Sequence, residues 1–339
     1  MIFVSIASYT DPELPRTLRD CLDNARWPAD LRFGICWQGD PAAPVPLDVF
    51  RNDPRFRFYD CSIADSHGGS WARSTAQRFW DGEAFTLQVD SHTTFDEHWD
   101  ERLIAMLEST PGRKPLLTVN SPLFWFDEDG RVHRETTRGV PTSRVNDWTE
   151  GTGWAPWVDF GPPHPTLPGR NRFISGGFVF TVGRWNEEVP QDPEHYYWGE
   201  ELSLSVRSFS WGYDLWVPSE ICVWHMLHRD GPPRRHWEKG GDTVTAKNVV
   251  AFDRLRRLLY SDGNGGLGRY GLGGVRTLHD YEIYAGFDFA NKRAHADVFT
   301  GRPPDPVTIR SKADWARCCT VEEAFANNPE RTALRSFDE

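Results

Sequence analysis

No run in the 339-residue chain approaches the roughly 18 apolar residues that a membrane-spanning helix needs. The opening MIFVSIASYT has neither a basic n-region nor a small-residue cleavage site, so it reads as a strand and not as a secretory signal. Cysteine is sparse: six residues (Cys21, Cys36, Cys61, Cys222, Cys318 and Cys319) with no CxxC spacing. That pattern argues against a disulfide framework, gives a zinc knuckle no support, and suits reduced, mostly buried thiols in a cytoplasmic protein. Basic charge is in deficit, with 38 Lys and Arg against 49 Asp and Glu and a formal net charge of −11. A general nucleic-acid binder and a protein held on an anionic membrane are both disfavoured. Also absent are a GK[ST] phosphate loop, a GxGxxG after the first strand and a GxSxG nucleophile elbow.

What the chain does have is aromatic residues, 14% of the whole, including 16 Trp and 21 Phe. Many of the tryptophans sit beside Gly, Pro and Asp in apparent loops, where flat rings line ligand sites. The alternative is that they fill a core short of aliphatics.

Strand and helix patterns alternate from the start. Phe3–Ala7 is β-rich, and Asp11-Pro12 looks like a capped helix start, with the helix stopping near Trp27-Pro28. Leu31–Gln38 and Phe56–Phe58 read as strands, Ser70–Trp80 as a helix, and Ala84–Val89 as a strand ending at Asp90. Trp99, Leu103, Met106 and Leu107 recur at helical spacing, and Leu116–Val119 is a further strand. The expected class is α/β, a mostly parallel sheet flanked by helices. Residues 122–170, rich in Pro, Gly and Trp (Trp125, Trp148, Trp154, Trp157), break the rhythm as an ordered insertion, with room for a small hairpin. Regular structure returns at Phe173–Val182, near Glu200, at Leu215–Val217, at Ile221–His225 and at Ala246–Tyr260. The expected organisation is a domain over 1–260 carrying the 122–170 insertion, and a C-terminal appendage over 261–339 packed on the same core.

Four clusters can carry chemistry. In Val89-Asp90-Ser91-His92 an Asp leaves the C-terminal end of a strand, where open α/β sheets place ligands. If the chain stays extended, Asp90 and His92 point the same way, an O,N pair suited to a borderline divalent ion such as Mn²⁺. The alternative is an Asp capping a helix that starts near Asp96. His225 closes a second strand-like run and could supply a distal third ligand. Glu200 and Glu201 open a helix after Trp198-Gly199; neighbours at i and i+1 do not share a face, so one of them at most should enter a site. Gly176-Gly177 permits close approach to a ligand, or else marks a bulge. Finally, His67-Gly68-Gly69-Ser70-Trp71-Ala72-Arg73 runs a glycine pair into a helix with an Arg one turn on, which suits a diphosphate.

In order and spacing these pieces resemble a GT-A nucleotide-sugar glycosyltransferase. The similarity is strongest to the cytoplasmic polypeptide N-acetylglucosaminyltransferases that modify hydroxyproline, and more distant to the mucin-type polypeptide N-acetylgalactosaminyltransferases. It covers about residues 2–290 and rests on Val4–Pro12, Gln88–His92, Ser175–Gly177, Trp198–Glu201, Val223–His225 and Tyr270–Arg276. The resemblance implies a DXD-like metal site of Asp90, His92 and His225 holding Mn²⁺ or another divalent cation such as Mg²⁺. It places Ser8, Tyr9 and Arg73 at the nucleotide and Gly176, Gly177 and Trp198 with Asp90 around the nucleotide and sugar, and makes Glu200 and Glu201, beside the sugar, the catalytic residues. The mucin-type enzymes have a longer WGGE stretch at this point, so the choice between the two glutamates stays open.

The implied activity is metal-dependent, retaining transfer of N-acetylglucosamine from UDP-GlcNAc to a hydroxyl acceptor on a protein, peptide or small molecule, with no nucleic-acid or membrane partner. Two competing readings are a zinc hydrolase on His225, His228 and His236, and a non-catalytic nucleotide-sugar or glycan-binding protein on the same scaffold.

Overall fold

The computed structural model describes residues 1–149, 155–197, 199–226, 242–261, 265–291, 293–304 and 318–319. In chain order the strands of its main sheet are β1 (Ile2–Tyr9), β2 (Leu31–Gly39), β3 (Phe56–Ser62), β4 (Phe85–Asp90), and, beyond a short β5 (Thr93–Phe95), β6 (Pro115–Thr118). Two hairpins follow within the 122–170 insertion, β7 (Phe124–Phe126) with β8 (Val132–Arg134) and β9 (Pro141–Thr149) with β10 (Ala155–Pro163). The remaining strands are β11 (Gly169–Arg170), β12 (Phe178–Val182), β13 (Asp214–Val217), β14 (Val223–His225), β15 (Phe287–Asp288), β16 (Arg293–His295) and β17 (Cys318–Cys319). The helices are α1 (Leu14–Asp23), α2 (Asp48–Arg51), α3 (Gly69–Gln77), α4 (Trp99–Ser109), α5 (Trp185–Glu188), α6 (Glu200–Ser210), α7 (Asp242–Tyr260), α8 (Leu278–Ala285) and α9 (Ala296–Thr300).

Eight strands form the central sheet in the order β11-β13-β6-β12-β4-β1-β2-β3. β3, β2, β1 and β4 are mutually parallel, as are β6 and β13, whereas β12 runs antiparallel between β4 and β6. The sheet is therefore mostly parallel and flanked by helices, as the alternation of patterns predicts.

Its two faces follow from the strand period of two. Val4 and Ile6 of β1 align with Phe33 and Ile35 of β2 and with Leu87 and Val89 of β4. All six join the core beneath α1 and α4, with Leu14, Leu18, Leu103 and Leu107. The opposite face takes α3, whose Ala72 and Ala76 pack on Cys36. Gly34 is what lets α3 lie so close: a Cβ there would stand 2.6 Å from the Ala76 carbonyl. A second core joins Leu202, Val206 and Phe209 of α6 with Leu255 and Leu258 of α7, Tyr281 of α8, and Phe287 and Val298 beyond it. Segment 265–304 thus shares apolar packing with the helix that begins at Glu200.

Three local expectations need correction. α1 starts at Leu14 and not at Pro12, so Asp11 is no helix cap; it accepts from the Glu13 N–H and turns its other oxygen elsewhere. The same helix ends at Asp23, well before Pro28, because Asp100 of α4 accepts from the Arg26 and Trp27 N–H groups (2.7 and 2.8 Å) and draws the chain off the helical path. Regular strand begins at Phe178 and not at Phe173, since a turn from the Ser175 carbonyl to the Phe178 N–H intervenes. Cys21, Cys36, Cys61 and Cys222 are free thiols. Among the described residues no helix is long and apolar enough to cross a membrane.

Candidate active site

Parallel pairing sets where the site falls. Ala7 of β1 is level with Asp90 of β4, so Ser8, Tyr9 and Asp90 leave the sheet at one edge. Antiparallel β12 enters from that edge, with Phe178 level with Val89, and so delivers Gly176 and Gly177 to the same place. The segment after Asp90 is clamped to α1: Thr17 Oγ1 accepts from the Thr93 N–H and donates to the Ser91 carbonyl (both 2.9 Å), and Asp20 accepts from the Phe95 N–H at 2.6 Å. His225 arrives by a separate route. β14 pairs with β5, His225 opposite Thr93, and the Met226 N–H donates to the His92 carbonyl.

These constraints bring three side chains together. One potential ligand atom from each of Asp90, His92 and His225 lies within 4.8 Å of the others. The imidazole centroids of His92 and His225 are 4.6 Å apart, and His225 Nε2 is 3.2 Å from Asp90 Oδ2. Asp90 does not cap α4, whose N-terminal residue His98 makes no side-chain cap. One carboxylate oxygen and two imidazole nitrogens converging from separate elements form a donor set that fits a borderline divalent cation.

Arg73 stands at the rim of this cluster. Its Nη2 donates to Asp90 Oδ1 at 2.8 Å, while Nη1 donates to Glu200 Oε1. Burial alone would raise the Asp90 pKa, but Arg73 and His225 outweigh it and hold the carboxyl well below its usual range. For Arg73 the balance also favours charge: burial opposes it, and Glu200 and Asp90 raise the pKa above its ordinary value. Burial lowers the pKa of His92 despite the Asp11 carboxylate beside it.

Both glutamates reach the site, contrary to the expectation of one at most. The cluster lies off the N-terminal end of α6, where the first two side chains can both extend toward it. Glu200 takes Arg73, and Glu201 accepts from the Gly176 N–H at 2.7 Å. Burial, reinforced by Glu200, pushes Glu201 up to about 7 against the Gly176 hydrogen bond. Gly176 is further fixed by Gln88, whose side-chain amide donates to its carbonyl at 2.8 Å. A Cβ on Gly176 would fall 2.3 Å from Arg73 Nη1, and one on Gly177 3.0 Å from Asp90 Oδ2. The glycine pair is thus the floor on which these two charges rest.

At the end of β1, the Ser8 and Thr10 hydroxyls are buried without a hydrogen-bond partner among the described residues, as is that of Ser70 in the first turn of α3. Tyr9 is half-buried at the same strand end. Trp198, His228 and His236 lie outside the described residues, as does Trp154.

Sequence reasoning missed Asp11. Its Oδ2 lies 2.7 Å from His92 Nδ1 and accepts from Ser91 Oγ at 2.5 Å, and the residue is 1% exposed. The available signal was its place just past the end of β1, level with the segment that carries His92.

The family model for glycosyltransferase (GlcNAc) matches residues 1–50 and 42–291, and the chain belongs to that glycosyltransferase family. Among solved structures it is similar to GalNAc-T7 with UDP, GalNAc and Mn²⁺, at 15% identity and a TM-score of 0.55, over 99% of this chain and 58% of that one. The GT-A type fold of that enzyme is the fold described above, and the chain spans 58% of its length. Residues 1–349 of S. aureus TarS in complex with UDP-GlcNAc show 13% identity and a TM-score of 0.46, over 78% of this chain and 68% of that one. No curated protein sequence matches the chain.

Proposed function

We propose that this glycosyltransferase moves N-acetylglucosamine from UDP-GlcNAc to a hydroxyl acceptor, on a protein or peptide, with retention and with a divalent cation, Mn²⁺ before Mg²⁺. The observation that carries the reading is the convergence of Asp90, His92 and His225 within 4.8 Å, bordered by Arg73, in a chain of this family. The presence of UDP and Mn²⁺ in the GalNAc-T7 structure supports the donor class and the cation. The closer likeness to hydroxyproline-modifying enzymes, the cytoplasmic location, and the division into a 1–260 transferase domain and a 261–339 appendage with 122–170 toward the acceptor belong to the same proposal.

Cleaving a sugar–diphosphate bond leaves negative charge on the departing phosphate. Asp90, His92 and His225 would hold the cation, which when bound supplies Lewis-acid stabilisation of that charge. Arg73 is always protonated and sits beside Asp90, so it adds fixed positive charge without reorganising. Ser8, Tyr9 and the start of α3 border the nucleotide, and Gly176 and Gly177 leave room for the sugar. In retention the acceptor hydroxyl attacks from the leaving-group face and the phosphate takes its proton, so no protein nucleophile is needed. Glu200, already engaged with Arg73, orients the sugar.

A second reading is inversion with Glu201 as general base, favoured by its pKa of about 7. NMR of the product anomer separates the two.

A thermal-shift panel of nucleotide sugars tests the proposal, because a ligand that binds only the folded state raises the melting temperature. UDP-GlcNAc with Mn²⁺ should give the largest shift and slow donor hydrolysis. A shift indifferent to Mn²⁺ removes the metal site, tightly bound zinc indifferent to nucleotide favours a hydrolase, and binding without turnover over days leaves a binding protein.

A further inference from the structure

We infer that Asp11 is a positioning residue for the cation site: it fixes the tautomer and the ring plane of His92 so that Nε2 is presented to the space shared with Asp90 and His225. The inference rests on the cation reading above and extends it to a residue outside the ligand set.

The argument begins at the backbone. Thr10 has φ of 47°, a left-handed conformation that a β-branched residue adopts only when its surroundings impose it. Its N–H is held by the Gln38 carbonyl at 2.9 Å, so the kink is anchored to β2. The kink redirects the chain just past Tyr9, and Asp11 folds back over the segment after β4.

There three contacts restrict the Asp11 carboxylate. Oδ1 accepts from the Glu13 N–H at 3.0 Å; Oδ2 accepts from Ser91 Oγ at 2.5 Å and faces His92 Nδ1 at 2.7 Å. The oxygen that accepts from Ser91 Oγ is also placed to accept from His92 Nδ1, an arrangement that sets the ring proton on Nδ1 and turns the Nε2 lone pair toward Asp90 and His225. An imidazole donating its second nitrogen to a carboxylate has a fixed orientation and is a more basic ligand. The same residue ties His92 to the β1 end, where Ser8 and Tyr9 lie, so the nucleotide segment and one cation ligand are positioned together.

Asp11→Asn, which keeps the shape and removes the charge, is the test variant, with His92→Ala as the ligand control and Thr17→Val as a control for loosening the same loop. Two measurements on the full chain are needed. Long-range ¹⁵N–¹H correlation spectra without added metal report the His92 tautomer directly; the wild type should show Nδ1–H, and Asp11→Asn a mixture. Electron paramagnetic resonance of free Mn²⁺ reports affinity. Asp11→Asn should weaken Mn²⁺ binding roughly 10- to 100-fold, and raise the apparent Mn²⁺ constant for donor hydrolysis more than it lowers turnover at saturating Mn²⁺. Wild-type binding that is lost in His92→Ala but unchanged in Asp11→Asn overturns the role of Asp11 alone. An Nε2–H tautomer in the wild type overturns it too, as does a variant that melts earlier with tautomer and affinity unaltered. A wild type that binds no Mn²⁺ even with UDP overturns the cation reading and this inference together.

Discussion

His225 Nε2 lies 3.2 Å from Asp90 Oδ2, although β14 carries one residue and β4 the other, and the two strands belong to different sheets. The contact exists because β14 pairs with β5, which follows Asp90 directly. Asp90→Ala and His225→Ala should therefore each abolish Mn²⁺-dependent donor hydrolysis, a loss of roughly a hundredfold or more if the cation contributes several kcal/mol. Neither change should unfold the protein, since Arg73 keeps Glu200 when Asp90 is gone. Nucleotide release and circular-dichroism melts check this, and full activity in either variant removes the metal site.

Arg73 neutralises two carboxylates, the buried Glu200 and the half-buried Asp90, so its loss reaches further than a lost donor contact. Arg73→Ala leaves Asp90 and Glu200 facing each other beside Glu201, an uncompensated cluster that should cost about 3–5 kcal/mol at neutral pH. Arg73→Lys should recover part of the cost, because a compact ammonium cannot bridge both partners. Asp90 is held well below its usual pKa in the folded protein, so its contribution to stability is present above the unfolded carboxyl value and is lost as pH falls through the folded one. The deficit of Arg73→Ala in urea unfolding should accordingly shrink in acid. A deficit independent of pH would mean that Arg73 stabilises by packing alone.

The convergence of Asp90 and His225 was legible because strand ends are: each closes an apolar β-run. Asp11 was not, because Asp before Pro is equally well explained as a helix cap, and only the left-handed Thr10 decides otherwise. Nothing in the composition of a β-branched residue announces that conformation. Helical periodicity also misled at Glu200 and Glu201. Face arguments apply along the side of a helix, whereas this site lies off its end. The mostly parallel sheet was readable from alternation, but antiparallel β12 was not, since residue patterns carry no strand direction.

The glycine pair offers a way to perturb Arg73 and Asp90 one at a time. Neither Gly176 nor Gly177 has a positive φ, so alanine there meets no backbone penalty. At Gly176 the new methyl would meet the far end of the Arg73 side chain at 2.3 Å, a flexible group that can swing away. Gly176→Ala should hence raise donor KM and also lower the melting temperature by part of the Arg73→Ala cost, because Arg73 no longer spans Asp90 and Glu200. At Gly177 the 3.0 Å approach is to Asp90 Oδ2, and the shift needed is a few tenths of an ångström. Its alanine variant should chiefly raise the Mn²⁺ requirement. Steady-state titrations of donor and metal check both, and interchange of the two effects would contradict the placement of Arg73.

Glu201 gives the sign of a pH effect opposite to that of Asp90. Its carboxyl titrates near 7 in the folded protein, where burial raises it first and Glu200 second, against an ordinary value of 4.5. The folded state then holds its proton more tightly than the unfolded chain does. The associated stability is complete below about pH 4.5, falls as pH rises, and is gone above about 7, with a ceiling near 3 kcal/mol. Asp20 and Glu282, also raised by burial, add to the same slope, so the wild-type curve alone does not isolate Glu201. Glu201→Gln does, because the amide oxygen can still accept from the Gly176 N–H while carrying no charge at any pH. In urea unfolding without metal, the stability of this variant relative to wild type should climb between pH 5 and 7 and level off above pH 7.5. Parallel curves across that window would place the Glu201 carboxyl in ordinary solvent contact, and its candidacy as a general base near neutrality would fall with it.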